Sequence, residues 1–348
     1  MSSTVYVGLS GGVDSSVSAA LLKQQGYEVV GVYMKNWTQD VAGVACPWKK
    51  DLADARAAAA VLDIKFKIFD FQEQYRAQVV DAMVAQYAAG RTPNPDVLCN
   101  QEIKFKLFLT LALADGADFI ATGHYAATDG DGHLLQAADS AKDQTYFLYR
   151  VSEEALRRTL FPLSGLTKPE VRVLAEKFGL PTASKPDSQG ICFVGEVGIR
   201  PFLSQYLSLS PGAIKSRVGE TIGTHAGAAL YTIGQRHGLG LGGPGPYYVT
   251  SRDIETNTVT VTTDPADLTL QGDQFYLSDA HWINREPSDG FGYAIRLRHR
   301  GRLTKATIAR TGDRYSVRLL EPQRAIASGQ SAVVYEGDRV VGGGFIDF

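Results

Sequence analysis

Two sets of residues in the 348-residue chain have the types and spacing to do chemistry. The first is the run Gly8-Leu9-Ser10-Gly11-Gly12-Val13-Asp14-Ser15. It follows a short β-branched segment and opens a helical pattern over 14–25, with Val13, Val17, Ala20 and Leu21 at helical spacing and Gly26 as the stop. A glycine-rich strand-to-helix turn points successive main-chain N–H groups, with the helix dipole behind them, at one spot. That is a nest for an anion, and Ser10 and Ser15 add hydroxyl donors. No Gly-Lys-Ser/Thr follows, so this is not a Walker A loop, and it does not fit Gly-x-Gly-x-x-Gly. The second set is the three cysteines, Cys46, Cys99 and Cys192. Their wide spacing excludes a Cys-x-x-Cys zinc pair and a dense disulfide framework. Cys99 follows Pro93-Asn94-Pro95-Asp96 and directly precedes a helical pattern beginning near Asn100, a position that favours the thiolate. Cys192 lies in a loop flanked by Gly190 and Gly195. A lone cysteine is otherwise a small buried hydrophobe, which is the reading kept for Cys46.

Strands and helices alternate through the first half and can position these groups. Segments 27–34, 64–69 and 119–122 read as strands, and 51–62, 73–89, 102–114 and 169–178 as helices. This order predicts a parallel sheet covered on both faces. Asp129-Gly130-Asp131-Gly132 reads as the turn of a hairpin decorating that sheet. Beyond about residue 205 the grammar changes to short alternating segments with frequent turns and a final hairpin over 331–345, the pattern of small barrels or sandwiches. The expected fold is α/β plus β, divided into 1–204, 205–272 and 273–348.

Hydrophobic residues make up 44% of the chain and charged residues 21%, which excludes wholesale disorder. No run of about 18 apolar residues and no secretory leader is visible, so a cytoplasmic protein without membrane association is expected. The net charge of −2 argues against a nucleic-acid partner until the charge is localised. Between 291 and 318 stand eight basic residues and one acid, Asp313. Arg296, Arg298, Arg300 and Arg302 recur at every second position, which in a strand would put all four on one face. Arginine suits bidentate phosphate contact, so the face is read as a site for a phosphate backbone.

The string Ser10-Gly-Gly-Val-Asp-Ser-Ser16 resembles the pyrophosphatase loop of the PP-loop ATP pyrophosphatases. Met34-Lys-Asn-Trp37, Arg91-Thr-Pro-Asn-Pro-Asp-Val-Leu-Cys-Asn100, Ala121-Thr-Gly-His-Tyr125 and Lys142-Asp-Gln-Thr-Tyr-Phe-Leu148 follow in order. Then come Asp187-Ser-Gln-Gly-Ile-Cys-Phe-Val-Gly195, Thr232-Ile-Gly-Gln-Arg-His-Gly-Leu-Gly240 and Ala327-Ser-Gly-Gln-Ser-Ala332. Together, over essentially the whole chain, they resemble the tRNA-specific 2-thiouridylase family. The resemblance implies a PP-loop domain like that of the adenine nucleotide alpha-hydrolases, a small mixed central domain and a C-terminal β-barrel. It also implies replacement of the 2-oxygen of the wobble uridine by sulfur, using ATP with Mg²⁺ and a persulfide supplied by a cysteine desulfurase or a sulfur-relay protein. The tRNAs implied are those for Lys, Glu and Gln.

Residue by residue, the resemblance makes Cys192 the persulfide carrier and Cys99 its catalytic and disulfide-forming partner. ATP would be met by Gly8 to Ser15, Met34 and Gly123, with Asp14 organising Mg²⁺ and no metal site of the protein's own. Asn94, Pro95 and Asp96 would hold the target base. His124, Lys142, Asp143, Gln144, Arg298, His299 and Gln330 would contact tRNA. Two positions depart from the family pattern: His299 stands where a tyrosine is frequent, and 38–50 is less acidic. The competing readings are another PP-loop synthetase that adenylates a carboxylate, which needs no cysteine pair, and a non-catalytic ATP- or tRNA-binding protein.

Overall fold

Strand β1 (Thr4–Gly8) is apolar at consecutive positions because both of its faces are covered. Val5 and Val7 pack with Val17, Ala55, Ala59, Val171 and Ala175 on one side, whereas Tyr6 packs with Ile103, Phe108 and Ala112 on the other. The computed structural model describes residues 2–41, 43–187, 198–243, 245–290 and 292–348, so Cys192 lies outside the described residues.

The first domain has strands β1, β2 (Glu28–Lys35), β3 (Lys65–Asp70) and β4 (Phe119–Ala121), then a short hairpin of β5 (Ala127–Thr128) and β6 (Leu134–Leu135), then β7 (Thr159–Leu160). Its sheet runs β3-β2-β1-β4-β7, every pair parallel. Helices α1 (Val13–Gln24) and α2 (Trp48–Val61) are followed by α3 over 72–88 and α4 over 95–114. Next come α5 (Glu153–Arg157), α6 (Lys168–Lys177) and α7 (Ile199–Leu203). Both α3 and α4 contain a π-helical stretch, Arg76–Val80 and Cys99–Leu107, where the N–H that closes the stretch reaches back five residues.

A four-stranded sheet follows, built from β8 (Gly212–Ser216), β9 (Thr221–His225), β10 (Tyr248–Asp253) and β11 (Thr258–Thr262) in the order β10-β11-β8-β9. The last six strands are β12 (Gln271–Trp282), β13 (Gly292–Arg296), β14 (Thr304–Thr311), β15 (Arg314–Arg324), β16 (Ser331–Glu336) and β17 (Arg339–Asp347). They form an antiparallel barrel that the β12–β17 pairing closes, filled by Phe275, Leu277, Ile295, Ile308, Val317, Val334 and Ile346. Among the described residues no helix is long and apolar enough to cross a membrane.

Two expectations are corrected. The β5–β6 hairpin does not decorate the parallel sheet: β6 pairs with the start of β17, Leu134 opposite Val340, and so extends the barrel. The four alternating arginines do not share a strand face either, because β13 stops at Arg296. The chain then turns, with the Gly301 N–H donating to Arg298 O at 2.9 Å and Arg300 at φ 59°. Arg298, Arg300 and Arg302 are exposed, whereas Arg296 is buried.

Candidate active site

The glycine loop lies at the carboxyl end of β1, where the chain order of the sheet reverses between β1 and β4. Open parallel sheets bind ligands at that crevice. Gly12 caps α1 in an extended conformation without any side-chain cap, so the N–H groups of the first helical turn have no partner within the helix. Gly11 has φ 78°, and a Cβ there would sit 2.3 Å from Asp51 O, so only glycine fits. The Ser10 and Ser15 hydroxyls share a 3.2 Å hydrogen bond, and Ser15 Oγ accepts from the Ser10 N–H at 3.2 Å, which fixes the loop's shape. Leu9 and Val13 have buried side chains, and the Leu9 N–H is already given to Val32 O at 2.8 Å. A Cβ on Gly123 would lie 2.6 Å from Ser15 N, and one on Gly8 would lie 2.9 Å from Met34 Cε. Glycine at 8 and 123 thus lets β1, β4 and the loop close on one crevice.

A charged network surrounds the loop, and sequence reasoning missed most of it. Lys168 Nζ donates to Asp14 Oδ1 and Oδ2 at 2.7 and 2.8 Å, and the Tyr125 hydroxyl donates to Asp14 Oδ1 at 3.0 Å. Asp187 is met by Lys142 at 2.7 Å, Lys168 at 2.9 Å and Arg172 at 2.7 Å. Burial pushes the Asp187 carboxyl up, but the hydrogen bonds from Lys142 and Lys168 outweigh it and hold the group well below the usual carboxylate range. Burial, with Asp14 alongside, raises the Tyr125 phenol far above its ordinary value. Lys185 Nζ donates to Gly11 O at 3.0 Å and to Asp51 at 2.8 Å, bracing the loop from behind. The one local signal for Lys168 is the capping box of Thr167 and Glu170 that places it at the first position of α6. Both Asp14 oxygens are occupied by Lys168. Among the described residues no group of three metal-binding side chains surrounds them.

Helix α4 carries the next candidates. Asn94 is its cap, accepting from the Asp96 N–H at 3.2 Å, and Pro95 occupies the first helical position. Cys99 is therefore a full turn inside the helix rather than at its N-terminus. The expected dipole position belongs to Pro95 and Asp96, which correct the reading from spacing. Cys99 opens the π-helical stretch and is only 3% exposed. Burial raises the Asp96 carboxyl, partly offset by Lys104. His124 accepts from or donates to Thr122 Oγ1 at 2.8 Å, and its ring lies 5.7 Å from that of Phe105 on α4. Burial, reinforced by Lys104, holds this imidazole well below its ordinary value, so at neutral pH it acts as an uncharged polar ring. The contacts of Phe105 with His124 and of Phe108 with Gly8 lay α4 across the carboxyl ends of β4 and β1.

Three family models match in sequence. A tRNA methyl transferase HUP domain covers 3–196, a tRNA methyl transferase PRC-barrel domain 200–263, and an aminomethyltransferase beta-barrel domain 272–346. A tRNA-specific 2-thiouridylase MnmA of Nitrosomonas eutropha is 46% identical over 99% of this chain and 98% of its own length. The protein of that name in Streptococcus sanguinis is 46% identical, covering 99% and 95%, and that of Pseudomonas syringae pv. syringae is 47% identical, covering 99% and 94%. The chain belongs to the tRNA-specific 2-thiouridylase family.

The positions that the 2-thiouridylase resemblance assigns to RNA divide into buried and exposed groups. Asp143 is 2% exposed, and its carboxylate is used internally. It accepts from Arg296 Nη1 at 3.0 Å, Thr145 Oγ1 at 2.6 Å and the Ala137 N–H at 3.0 Å. A direct RNA contact by Asp143 is corrected on that ground. Gln144 accepts from the Tyr125 N–H at 2.9 Å, and Lys142 is held by Asp187. His299 packs at a tilt against Phe147, ring centroids 4.6 Å apart and planes at 38°, and also tilts toward Tyr146, with its Nδ1 buried and unpartnered. Arg298 is exposed and donates to Arg324 O at 2.8 Å. Gln330 Nε2 donates to Thr92 O at 3.1 Å, two residues before Asn94. The barrel thus reaches the start of α4. Cys192 lies outside the described residues.

Proposed function

We propose that the protein is an ATP-dependent tRNA 2-thiouridylase acting on the wobble uridine. The observation that carries the reading is the anion nest at the end of β1, with α4, the helix bearing Cys99, packed across the same sheet edge. The full-length identity of 46–47% to the named 2-thiouridylases supports it.

The C2 carbonyl of uracil is urea-like, a poor electrophile whose oxygen leaves badly. Attack of that oxygen on the α-phosphorus of ATP expels pyrophosphate and converts the oxygen into the leaving group AMP. The free N–H groups of the first turn of α1, with the Ser10 and Ser15 hydroxyls, hold the phosphates. Mg²⁺ would enter on the triphosphate, since Lys168 already holds Asp14. Met34 and Gly123 flank the adenosine side of the crevice. An everted uracil would be read by polar groups of the Asn94–Asp96 segment. The terminal sulfur of a Cys192 persulfide then forms the new C2–S bond as AMP departs. The Cys99 thiolate attacks Cys192 Sγ, forming the Cys99–Cys192 disulfide and breaking the bond to the transferred sulfur, which stays on C2 with the electron pair. Two equivalents of an external thiol then reduce the disulfide. His124, Lys142 and Gln144 shape the base pocket from the β4 side, and Arg298, His299 and Gln330 present the barrel to the RNA.

The test is incubation of purified protein with ATP, Mg²⁺, a persulfide donor and unmodified tRNA of the Lys, Glu or Gln type. Mercury-retarded tRNA, with AMP and pyrophosphate formed only when tRNA is present, is expected. Cys192→Ser should abolish the retarded band and leave tRNA binding intact. Absence of thiolated product from the wild-type protein, or full activity of the Cys192→Ser protein, would overturn the reading.

A further inference from the structure

Every polar atom of Thr92 is used, and every partner comes from outside the first domain. Its N–H donates to Ser328 O at 3.0 Å, and its carbonyl accepts from Gln330 Nε2 at 3.1 Å. Its hydroxyl shares a 3.2 Å hydrogen bond with Thr232 Oγ1 and accepts from Arg252 Nη2 at 3.1 Å. Arg252 also donates to Gly90 O at 2.5 Å and to Tyr231 O, so one guanidinium fork ties the loop before α4 to the central module. On the barrel side the fit is as close. Gly329 has φ 87°, and a Cβ there would lie 2.8 Å from Arg91 Cβ and 2.9 Å from Thr92 N. Thr92 is 7% exposed. Two residues later Asn94 caps α4, and the helix then delivers Cys99.

We propose that Thr92 is a positioning residue through which the central module, tied to it by Arg252, and the barrel, tied to it by Gln330, set the entry of α4 and the placement of Cys99. On the thiolation reading, on which this rests, the two appended modules do more than bind RNA. They hold the reactive segment in register, so RNA seated on them is coupled to the thiol. A buried hydroxyl that satisfies two partners is costly to remove, whereas its loss changes nothing on the RNA-facing surface.

The experiment compares wild-type, Thr92→Val, Thr92→Ser and Arg252→Lys in the full-length protein. Three quantities are read: the iodoacetamide alkylation rate of Cys99 by peptide mass spectrometry, the single-turnover thiolation rate at saturating tRNA, and tRNA affinity. Thr92→Val should label Cys99 about tenfold faster and thiolate about tenfold more slowly, with tRNA affinity within about twofold of wild-type. Thr92→Ser, which keeps the hydroxyl, should restore both rates. Arg252→Lys, which keeps the charge but loses the fork, should follow Thr92→Val. Unchanged Cys99 labelling in Thr92→Val, or a turnover loss matched entirely by lost tRNA affinity, would overturn the proposal. If the wild-type protein thiolates nothing, the functional reading falls, and the Cys99 labelling still decides the positioning role.

Discussion

Asp143 and Arg296 form a 3.0 Å ion pair across the junction between the α/β domain and the barrel, with both side chains buried. The Arg296 guanidinium also lies over the Tyr335 ring at 5.1 Å, and the Tyr335 hydroxyl is within 3.2 Å of Thr145 Oγ1. Breaking one side of a buried pair leaves the other charge uncompensated. Asp143→Ala should therefore destabilise the protein by about 3–5 kcal/mol. Chemical denaturation checks this, and a loss below about 1 kcal/mol would show that the junction relaxes around a free Arg296.

Gly11 and Gly26 both have positive φ, 78° and 91°, but only the Gly11 position is crowded, 2.3 Å from Asp51 O. Gly26→Ala should cost only backbone strain, about 1 kcal/mol, and leave ATP binding unchanged. Gly11→Ala should carry that strain and also displace the loop from Asp51, weakening ATP at least about tenfold. Calorimetric ATP titration of the two variants separates strain from site geometry. Equal ATP affinities would refute the role assigned to the loop.

The pH dependence of stability should fall into two windows. His124 is held below its ordinary value by burial, so the unfolded chain binds a proton near pH 6.5 that the native protein does not. Stability should fall as pH drops below about 6.5. His225, His281 and His299 are lowered by burial as well, so His124→Gln should flatten this slope without removing it. Asp187 is lowered in the folded state, and its contribution is complete above the unfolded carboxylate value, fading only as pH falls below about 4. Urea midpoints across pH 3–8 should show the His124→Gln effect setting in below about pH 6.5 and the Asp187→Asn effect shrinking only below about pH 4.

Arg298 and Arg300 are exposed in the turn that follows β13, whereas Arg296 is committed to Asp143. Arg298→Glu with Arg300→Glu should weaken tRNA binding and lower the slope of log affinity against log salt by about one for each phosphate left without its arginine. Thermal stability should stay near wild-type. An unchanged slope would exclude this edge from the RNA interface.

The parallel sheet was readable because strands buried on both faces, such as β1, are continuously apolar, and because Gly11 marks a turn no other residue fits. The Arg296 to Arg302 periodicity misled because period two means a shared face only while a strand lasts, and β13 ends at its first arginine. Asp143 looked like a surface polar residue because its partner lies 153 positions away. Lys168 and Lys185 could not be singled out because ion pairing with Asp14, Asp51 and Asp187 is set by tertiary approach, not by local pattern. Cys99 was displaced from the helix end for a local reason: Asn94-Pro95 starts α4 earlier than its apolar periodicity indicates.

The pairing of Leu134 with Val340 has a consequence for the order in which the protein is made. The β5–β6 hairpin emerges from the ribosome while its partner strand is still some two hundred codons away. It must wait with an open edge until β17 is synthesised. The stretch that seals it also closes the barrel, since β17 pairs with β12 over its remaining residues. A chain truncated before β17 therefore forfeits the seams of two domains at once. Closure of the barrel and docking of the first domain's hairpin thus wait on one and the same strand.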